Sequence, residues 1–473
     1  KGLSSDRGLF VPSEFKNLKS ELKNLVNLDY KELAYVILKE FLTDYSEKEL
    51  KYCINSAYDE NFDTEKIAPI SKVGDDYVLE LYHGPTCAFK DMALTIMPYL
   101  LKTAIEKNNL KEEVVILTAT SGDTGKAALE GFKDVDKIKI VVFFPENGVS
   151  NIQKLQMKTT GGDNTCVVGI KGNFDDAQTG VKNIFADNNF NKDLKEKGYI
   201  LSSANSINIG RLTPQVVYYF YSYLQLVKQN EIALGDEINF VVPTGNFGNI
   251  LAGYYAKQMG LPVNKFICAS NDNNVLYDFF ETGIYNKNRE LKLTTSPSMD
   301  ILISSNLERL LFEISNRDSK KVNSLLNDLN EKGVYEIDYD MRKNLSSFYA
   351  GYSKEDVVSK TIKEVFDKFG YLLDTHTAVA YSCYEKYVED TKDDTKTVIV
   401  STASPYKFSK DVINSIQSID CNLDDFEIIN KLSDLSKTKI PGPIEKLKEL
   451  EIRHNITCEK DELKSEILKF LGK

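Results

Sequence analysis

His83-Gly84-Pro85-Thr86-Cys87-Ala88-Phe89-Lys90-Asp91 is the stretch on which the fold turns. It closes an apolar strand over residues 77–82 and opens a helix that begins near Met92. Lys90 is its chemical centre. An amine at the start of an apolar helix meets helix-terminal positive charge and desolvation together. Both act against protonation, and a depressed pKa is what an aldehyde-capturing amine needs. Taken alone, a lysine there would be an ordinary surface residue, so the weight falls on what surrounds it.

Outward from this loop the chain alternates apolar runs of strand length with amphipathic helices. Strands are expected at 114–118, 138–144 and 165–168, with helices at 126–132 and 151–158 between and after them. The rhythm resumes at 238–243, 250–259 and 266–270, and returns at 398–401. It predicts an α/β fold of two open, mostly parallel sheets with helices on both faces and ligand loops at the carboxyl ends of the strands. Before it, Leu18, Leu22, Leu25 and Val26 mark one apolar helix face, and Leu33, Val36, Ile37 and Phe41 a second. Residues 307–368 break the rhythm with charged helical periodicity. The expected organisation is a mostly helical N-terminal domain at 1–75 and a smaller α/β domain carrying Lys90 at 76–213. A larger α/β domain follows at 214–430, with a helical insertion at about 305–370 covering an edge or the mouth of the cleft, then a helical tail at 431–473.

Composition narrows the function classes. The 473 residues carry a net charge of −11 with 42% apolar content, and the pI is about 5.1. No long Lys/Arg run offers phosphate contacts, which argues against nucleic acid and acidic membranes as partners. No apolar run approaches membrane-spanning length. Cys53, Cys87, Cys166, Cys268, Cys383, Cys421 and Cys458 are dispersed, with no CxxC pair, beside only three histidines. That pattern fits reduced thiols in the cytoplasm, without a disulfide framework or a metal site. The start at Lys1-Gly2-Leu3 does not resemble a signal peptide, and the lack of an initiating Met suggests a start inside a longer chain.

Three further loops have complementary chemistry. Thr244-Gly245-Asn246-Phe247-Gly248-Asn249 joins a strand to a helix, and its glycines and helix-terminal N–H groups suit a phosphate dianion held by neutral donors. It lacks the spacing of dinucleotide and P-loop motifs. Ala119-Thr120-Ser121-Gly122-Asp123-Thr124-Gly125 could hold a substrate carboxylate, although Asp123 by itself suits a helix cap. Ser401-Thr402-Ala403-Ser404-Pro405 offers a neutral hydroxyl to a pyridine nitrogen. A lysine, a phosphate cup and a hydroxyl facing a ring are together what a pyridoxal phosphate site requires.

These loops resemble threonine synthases of the fold type II (tryptophan synthase β-like) group. The matching stretches are HGPTCAFKD, TSGDTG, NSINIGRLTPQ (205–215), PTGNFGN, STASP, and GLFVP at 8–12, in family order across almost the whole chain. The resemblance implies pyridoxal 5'-phosphate as cofactor and conversion of O-phospho-L-homoserine and water to L-threonine and phosphate. It implies Lys90 as the Schiff-base lysine, Gly245, Asn246, Phe247, Gly248 and Asn249 as the cofactor phosphate loop, and Thr402 at the pyridine nitrogen. It places Ser121, Asp123 and Thr124 beside the substrate, and Asn205 and Arg211 at its phosphate, where a planar guanidinium binds through paired charge-assisted bonds. Ser404 departs from the family's common histidine, and Cys87 from an aliphatic residue. A monomer or homodimer is expected. An amino-acid dehydratase or cysteine synthase, or a non-catalytic relative that only binds cofactor or phosphoamino acid, remain the alternatives.

Overall fold

The computed structural model describes Gly2, Ser4 and residues 8–420 and 422–472; Lys1, Leu3 and Cys421 of the sequence reading lie outside them. The strands in chain order are β1 (Ile70–Val73), β2 (Asp76–Glu80), β3 (Glu113–Ala119), β4 (Ile138–Pro145), β5 (Thr165–Ile170), β6 (Tyr199–Ser203) and β7 (Ile238–Pro243). They continue as β8 (Val263–Ser270), β9 (Ile284–Asn286), β10 (Val334–Glu336), β11 (Phe348–Tyr352), β12 (Thr397–Ser401) and β13 (Ile456–Cys458). A six-stranded sheet has the order β1-β2-β12-β7-β8-β11, a five-stranded sheet the order β13-β5-β4-β3-β6, and β9 and β10 form a separate ribbon. Apart from the antiparallel β1–β2 and β9–β10 pairs, the strands within the two sheets run parallel.

Burial explains the runs. Every residue of β7 and β5 is buried, as expected when helices cover both faces of a parallel sheet and no alternation of polar residues is needed. The carboxyl ends of β3, β7 and β12 lead into the three loops read from the sequence, and that of β2 leads into the lysine loop. All four therefore open on the crevice where parallel sheets bind ligands.

Three boundaries differ from the sequence reading. β2 does not belong with 76–213: Tyr77, Val78, Leu79 and Glu80 pair with Val398, Ile399, Val400 and Ser401. Val78 and Leu79 are fully buried, so β2 needs a central position, and it finds one between β1 and β12. Lys90 thus hangs from the larger sheet. The insertion at 305–370 is not purely helical. It supplies β10 and also β11, which adds parallel to β8; this short run was masked by the helical periodicity on either side. The tail at 431–473 contains β13, parallel to β5, and Cys458, Leu463 and Ile467 complete the smaller sheet's core.

The N-terminal helices Tyr30–Leu38 and Glu47–Ala57 each begin with a capping box, Asp29 with Glu32 and Ser46 with Glu49. They have no separate core. Leu33 and Ile37 pack in one cluster with Tyr219 and Phe220 of the long helix Ile209–Lys228, each such burial contributing roughly 1.5–3 kcal/mol. Among the described residues no helix is long and apolar enough to cross a membrane.

Candidate active site

Lys90 sits immediately before a short helix, Asp91–Leu94, and is only 7% exposed. Its segment is pinned to the larger sheet, because Phe89 N–H donates to the Thr402 carbonyl at 2.8 Å and Ala88 bridges Ala403. The amine lies 3.4 Å from Asp123 Oδ2 and 3.2 Å from Ser298 Oγ, over the face of Phe89. Burial lowers its pKa; Asp123 opposes this, while Lys407 and Arg211 add to it. Next to it, Asp91 accepts from Thr86 N–H at 2.8 Å and Thr86 Oγ1 at 2.5 Å, and burial pushes its carboxyl up to about 6.

Lys90 opens into a cleft. Gly245, Asn246, Phe247, Gly248 and Asn249 form one wall, Ser121, Asp123 and Thr124 another; Asn205, Arg211 and Thr402 complete the set. All the residues singled out from the sequence therefore share one cavity.

The 245–249 loop has the geometry to hold an anion. It leads into the helix Gly248–Gln258, whose preceding residue Phe247 has a left-handed φ of 62° and gives no side-chain cap, so the first-turn N–H groups are left for a ligand. The loop is held from behind. Ser304 Oγ donates to the Gly245 carbonyl at 2.7 Å, and Asn306 donates to the Asn246 carbonyl through N–H at 3.1 Å and Nδ2 at 2.9 Å. A Cβ at Gly245 would stand 2.6 Å from the Ser298 carbonyl oxygen, so glycine is required for this close approach. Asn249 Oδ1 accepts from the hydroxyls of Tyr218 and Tyr219, while among the described residues its buried Nδ2 has no partner. Uncapped N–H groups, an orphaned amide donor and a buried amine are a donor set that fits pyridoxal phosphate.

Arg211 is 3% exposed. Its NH1 donates to the Ala204 carbonyl at 3.0 Å, and among the described residues its buried Nε has no partner. Among the described residues no carboxylate pairs with it. Burial pushes its pKa down to about 10, which leaves it charged at neutral pH. Asn205, nearby, donates through Nδ2 to the Ala119 carbonyl at 2.9 Å.

Asp123 does not cap its helix. Gly122 precedes the helix Asp123–Phe132 with a φ of 131° and no side-chain cap, and both Asp123 oxygens are engaged elsewhere. Oδ1 meets Lys407 Nζ at 2.6 Å and Gln153 Nε2 at 2.9 Å, and Oδ2 faces Lys90. Burial alone would raise this carboxyl, but Lys407 and Lys90 beside it, with the hydrogen bonds from Lys407 and Gln153, hold it well below the usual carboxylate range. Ser404 accepts from Tyr406 N–H and caps the short turn Pro405–Phe408; Cys87 is a buried thiol pushed up to about 12 by desolvation.

Sequence reasoning missed Lys407, Gln153, Ser298 and His376. Lys407 follows STASP by two residues, flanked by Tyr406 and Phe408, and a lysine inside an apolar turn was the available signal. His376 Nε2 accepts from Ser298 N–H at 3.2 Å, and Nδ1 lies 3.0 Å from Asp374 Oδ1. One of three histidines in the chain thus orients the turn that meets Lys90. Among the described residues no three His, Cys, Asp or Glu side chains are grouped to hold a metal.

Comparison with known proteins agrees with this geometry. Residues 71–403 match the family of pyridoxal-phosphate-dependent enzymes, residues 1–58 the threonine synthase N terminus, and residues 377–456 the threonine synthase C-terminal family. The chain is 44% identical over 436 residues to human threonine synthase-like 1, covering 89% of this chain but only 58% of that relative. It is 39% identical over 418 residues to threonine synthase of Pseudomonas aeruginosa, covering 87% and 85% of the two chains. The structure of PLP-bound threonine synthase from Brucella melitensis superposes with a TM-score of 0.86 at 35% identity, covering 99% of this chain and 95% of that one. The yeast threonine synthase structure gives 0.87 at 32%, covering 100% and 94%. The cofactor is pyridoxal 5'-phosphate, the fold is type II, and the chain belongs to the threonine synthase family.

Proposed function

We propose that the chain converts O-phospho-L-homoserine and water to L-threonine and phosphate. The observation that carries this is Arg211, a buried guanidinium without a carboxylate partner, lining the same cavity as Lys90. Leaving such a charge unpaired is costly, and an anionic group arriving with the substrate would compensate it. An amino acid bearing a phosphate is the substrate that needs both groups.

Gly245, Asn246, Phe247, Gly248 and Asn249 would hold the cofactor phosphate, Lys90 would bind its aldehyde, and Thr402 would offer a neutral hydroxyl to its ring. When bound, the cofactor supplies an electron sink that acidifies the α- and β-carbons of the amino acid. Ser121 and Thr124 hold the substrate carboxylate, whereas Asp123, with both oxygens engaged, acts on Lys90. The Lys90 amine, in its free form, would be the base that removes protons from the α- and then the β-carbon. Arg211 and Asn205 receive the phosphate leaving the γ-carbon, stabilising charge as it develops. Water adds at the β-carbon, and protons return to the γ- and α-carbons.

The test is phosphate release from O-phospho-L-homoserine by the parent and by Arg211→Ala, with serine deamination measured in the same preparations. Loss of one charge-assisted bond, roughly 1.5–3 kcal/mol, should cut phosphohomoserine turnover by about tenfold to somewhat over a hundredfold. Serine deamination should change little. An equal loss on both substrates assigns Arg211 a structural role. A parent that uses serine and not phosphohomoserine is a dehydratase, and one that holds cofactor but turns over neither is a binding protein.

A further inference from the structure

We infer that Lys407 is a positioning residue that draws Asp123 away from Lys90 and so keeps the Lys90 amine in its free-base form. The inference rests on Lys90 being the reactive amine. Lys407 does not line the cavity, and its side chain is fully enclosed. It has two acceptors, Asp123 Oδ1 at 2.6 Å and the Thr86 carbonyl at 2.9 Å.

The pair crosses the molecule. Lys407 comes from the turn after β12 in the larger sheet, and Asp123 from the loop after β3 in the smaller. Asp123 is therefore one carboxylate between two lysines, bound short to Lys407 and long, at 3.4 Å, to Lys90. If both amines were protonated, one carboxylate would face two ammoniums, Lys407 fully enclosed and Lys90 only 7% exposed, and a net positive charge would remain. Such a charge is relieved by losing a proton. The lysine with the longer contact is the one that gives it up.

Every neighbouring element agrees with this direction or is neutral toward it. Arg211 on the helix Ile209–Lys228 adds positive charge facing Lys90. Ser298 offers a hydroxyl, and His376 on the helix Thr375–Thr391 is occupied by Ser298 N–H and Asp374. Asp91 is turned toward Thr86. Asp300 also lines the cavity, but its carboxylate is taken by Asn271, Asn273 and Thr294. Among the described residues, the negative group beside Lys90 that would favour its protonated form is thus the one Lys407 engages. Nucleophilic and basic work by an amine both require the free base, so Lys407 serves the site without touching substrate.

The test uses cofactor-free protein. Pyridoxal phosphate is added across a pH series, the rate of visible-band formation is followed, and the adduct is fixed with borohydride and mapped by peptide mass. Lys407→Met should move the pH midpoint of capture upward by about one unit, close to tenfold slower at neutral pH, because Asp123 is left to Lys90 alone. Lys407→Arg should restore the parent midpoint. Asp123→Asn should move it in the opposite direction, which keeps the inference testable if Lys407→Met does not fold. Adduct at Lys90 with an unshifted midpoint in Lys407→Met or Asp123→Asn overturns the inference. Adduct on a different lysine in the parent overturns instead the assignment of Lys90.

Discussion

Two strand-to-helix turns face each other across the cleft, Thr244 to Asn249 after β7 and Ala119 to Gly125 after β3. Both follow strands buried over most or all of their length, both contain glycine, and both begin helices whose N-cap gives no side-chain hydrogen bond. They differ in who supplies the negative charge. The first turn is backed by the neutral groups of Ser304, Ser305 and Asn306, and its N–H groups await an anion from outside. The second carries its own carboxylate, Asp123, already bound to Lys407 and Gln153. The first turn therefore relies on an anion that arrives from outside, whereas the second brings one that is already paired.

The comparison is broken most forcefully by Asp123→Asn. This change removes the internal anion and leaves the buried Lys407 ammonium without a counter-charge. Breaking a buried pair from one side costs about 3–5 kcal/mol. A denaturant titration of the cofactor-free protein should show that loss. Retained stability would mean that Lys407 is neutral in the fold and the turn needs no internal charge.

Next in size is Gly245→Asp, which gives the first turn the character of the second. The new Cβ meets the Ser298 carbonyl oxygen, and the carboxylate stands against the cofactor phosphate. Cofactor affinity should fall on the order of a hundredfold, about 3 kcal/mol, read by the visible absorbance that survives dialysis. A protein that holds its cofactor as the parent does would place the phosphate elsewhere.

The two turns also show how much the sequence could disclose. Each turn lies between an apolar run and a helix, so its position at a sheet edge was legible from periodicity. What each would bind was legible only from residue type at the turn. Asp123 looked like a cap because the partner that claims it, Lys407, lies far along the chain. The same limit misplaced β2, whose neighbour β12 is also distant in sequence. It hid β11 and β13 as well, short edge strands set among helices, where local pattern is weakest. The GLFVP stretch was matched by resemblance alone. Its physical reason is Arg309, a fully buried guanidinium that donates to the carbonyls of Phe10 and Ile207 and to Asn306 Oδ1. That arginine fastens the N-terminal segment to the Asn205 loop and to the residue that backs Asn246, a three-way contact no single window of sequence contains.

The smallest expected effect sharpens the comparison best. Ser304→Ala removes one hydrogen bond to the Gly245 carbonyl, at 2.7 Å, and leaves the rest of the first turn in place. A neutral bond of this kind is worth about 1 kcal/mol, so cofactor affinity should fall roughly fivefold. Combined with Asp123→Asn, the loss in cofactor affinity should be additive to within about 0.5 kcal/mol if the two turns act independently. The turn Pro297–Met299 is where that independence can fail. Ser298 accepts Lys90 Nζ at its hydroxyl and stands with its carbonyl against Gly245, so it touches both halves of the site. Coupling beyond about 0.5 kcal/mol would make Ser298 the link. The cofactor phosphate cup and the lysine charge balance would then be one device. Additivity would keep them two, each tunable without the other.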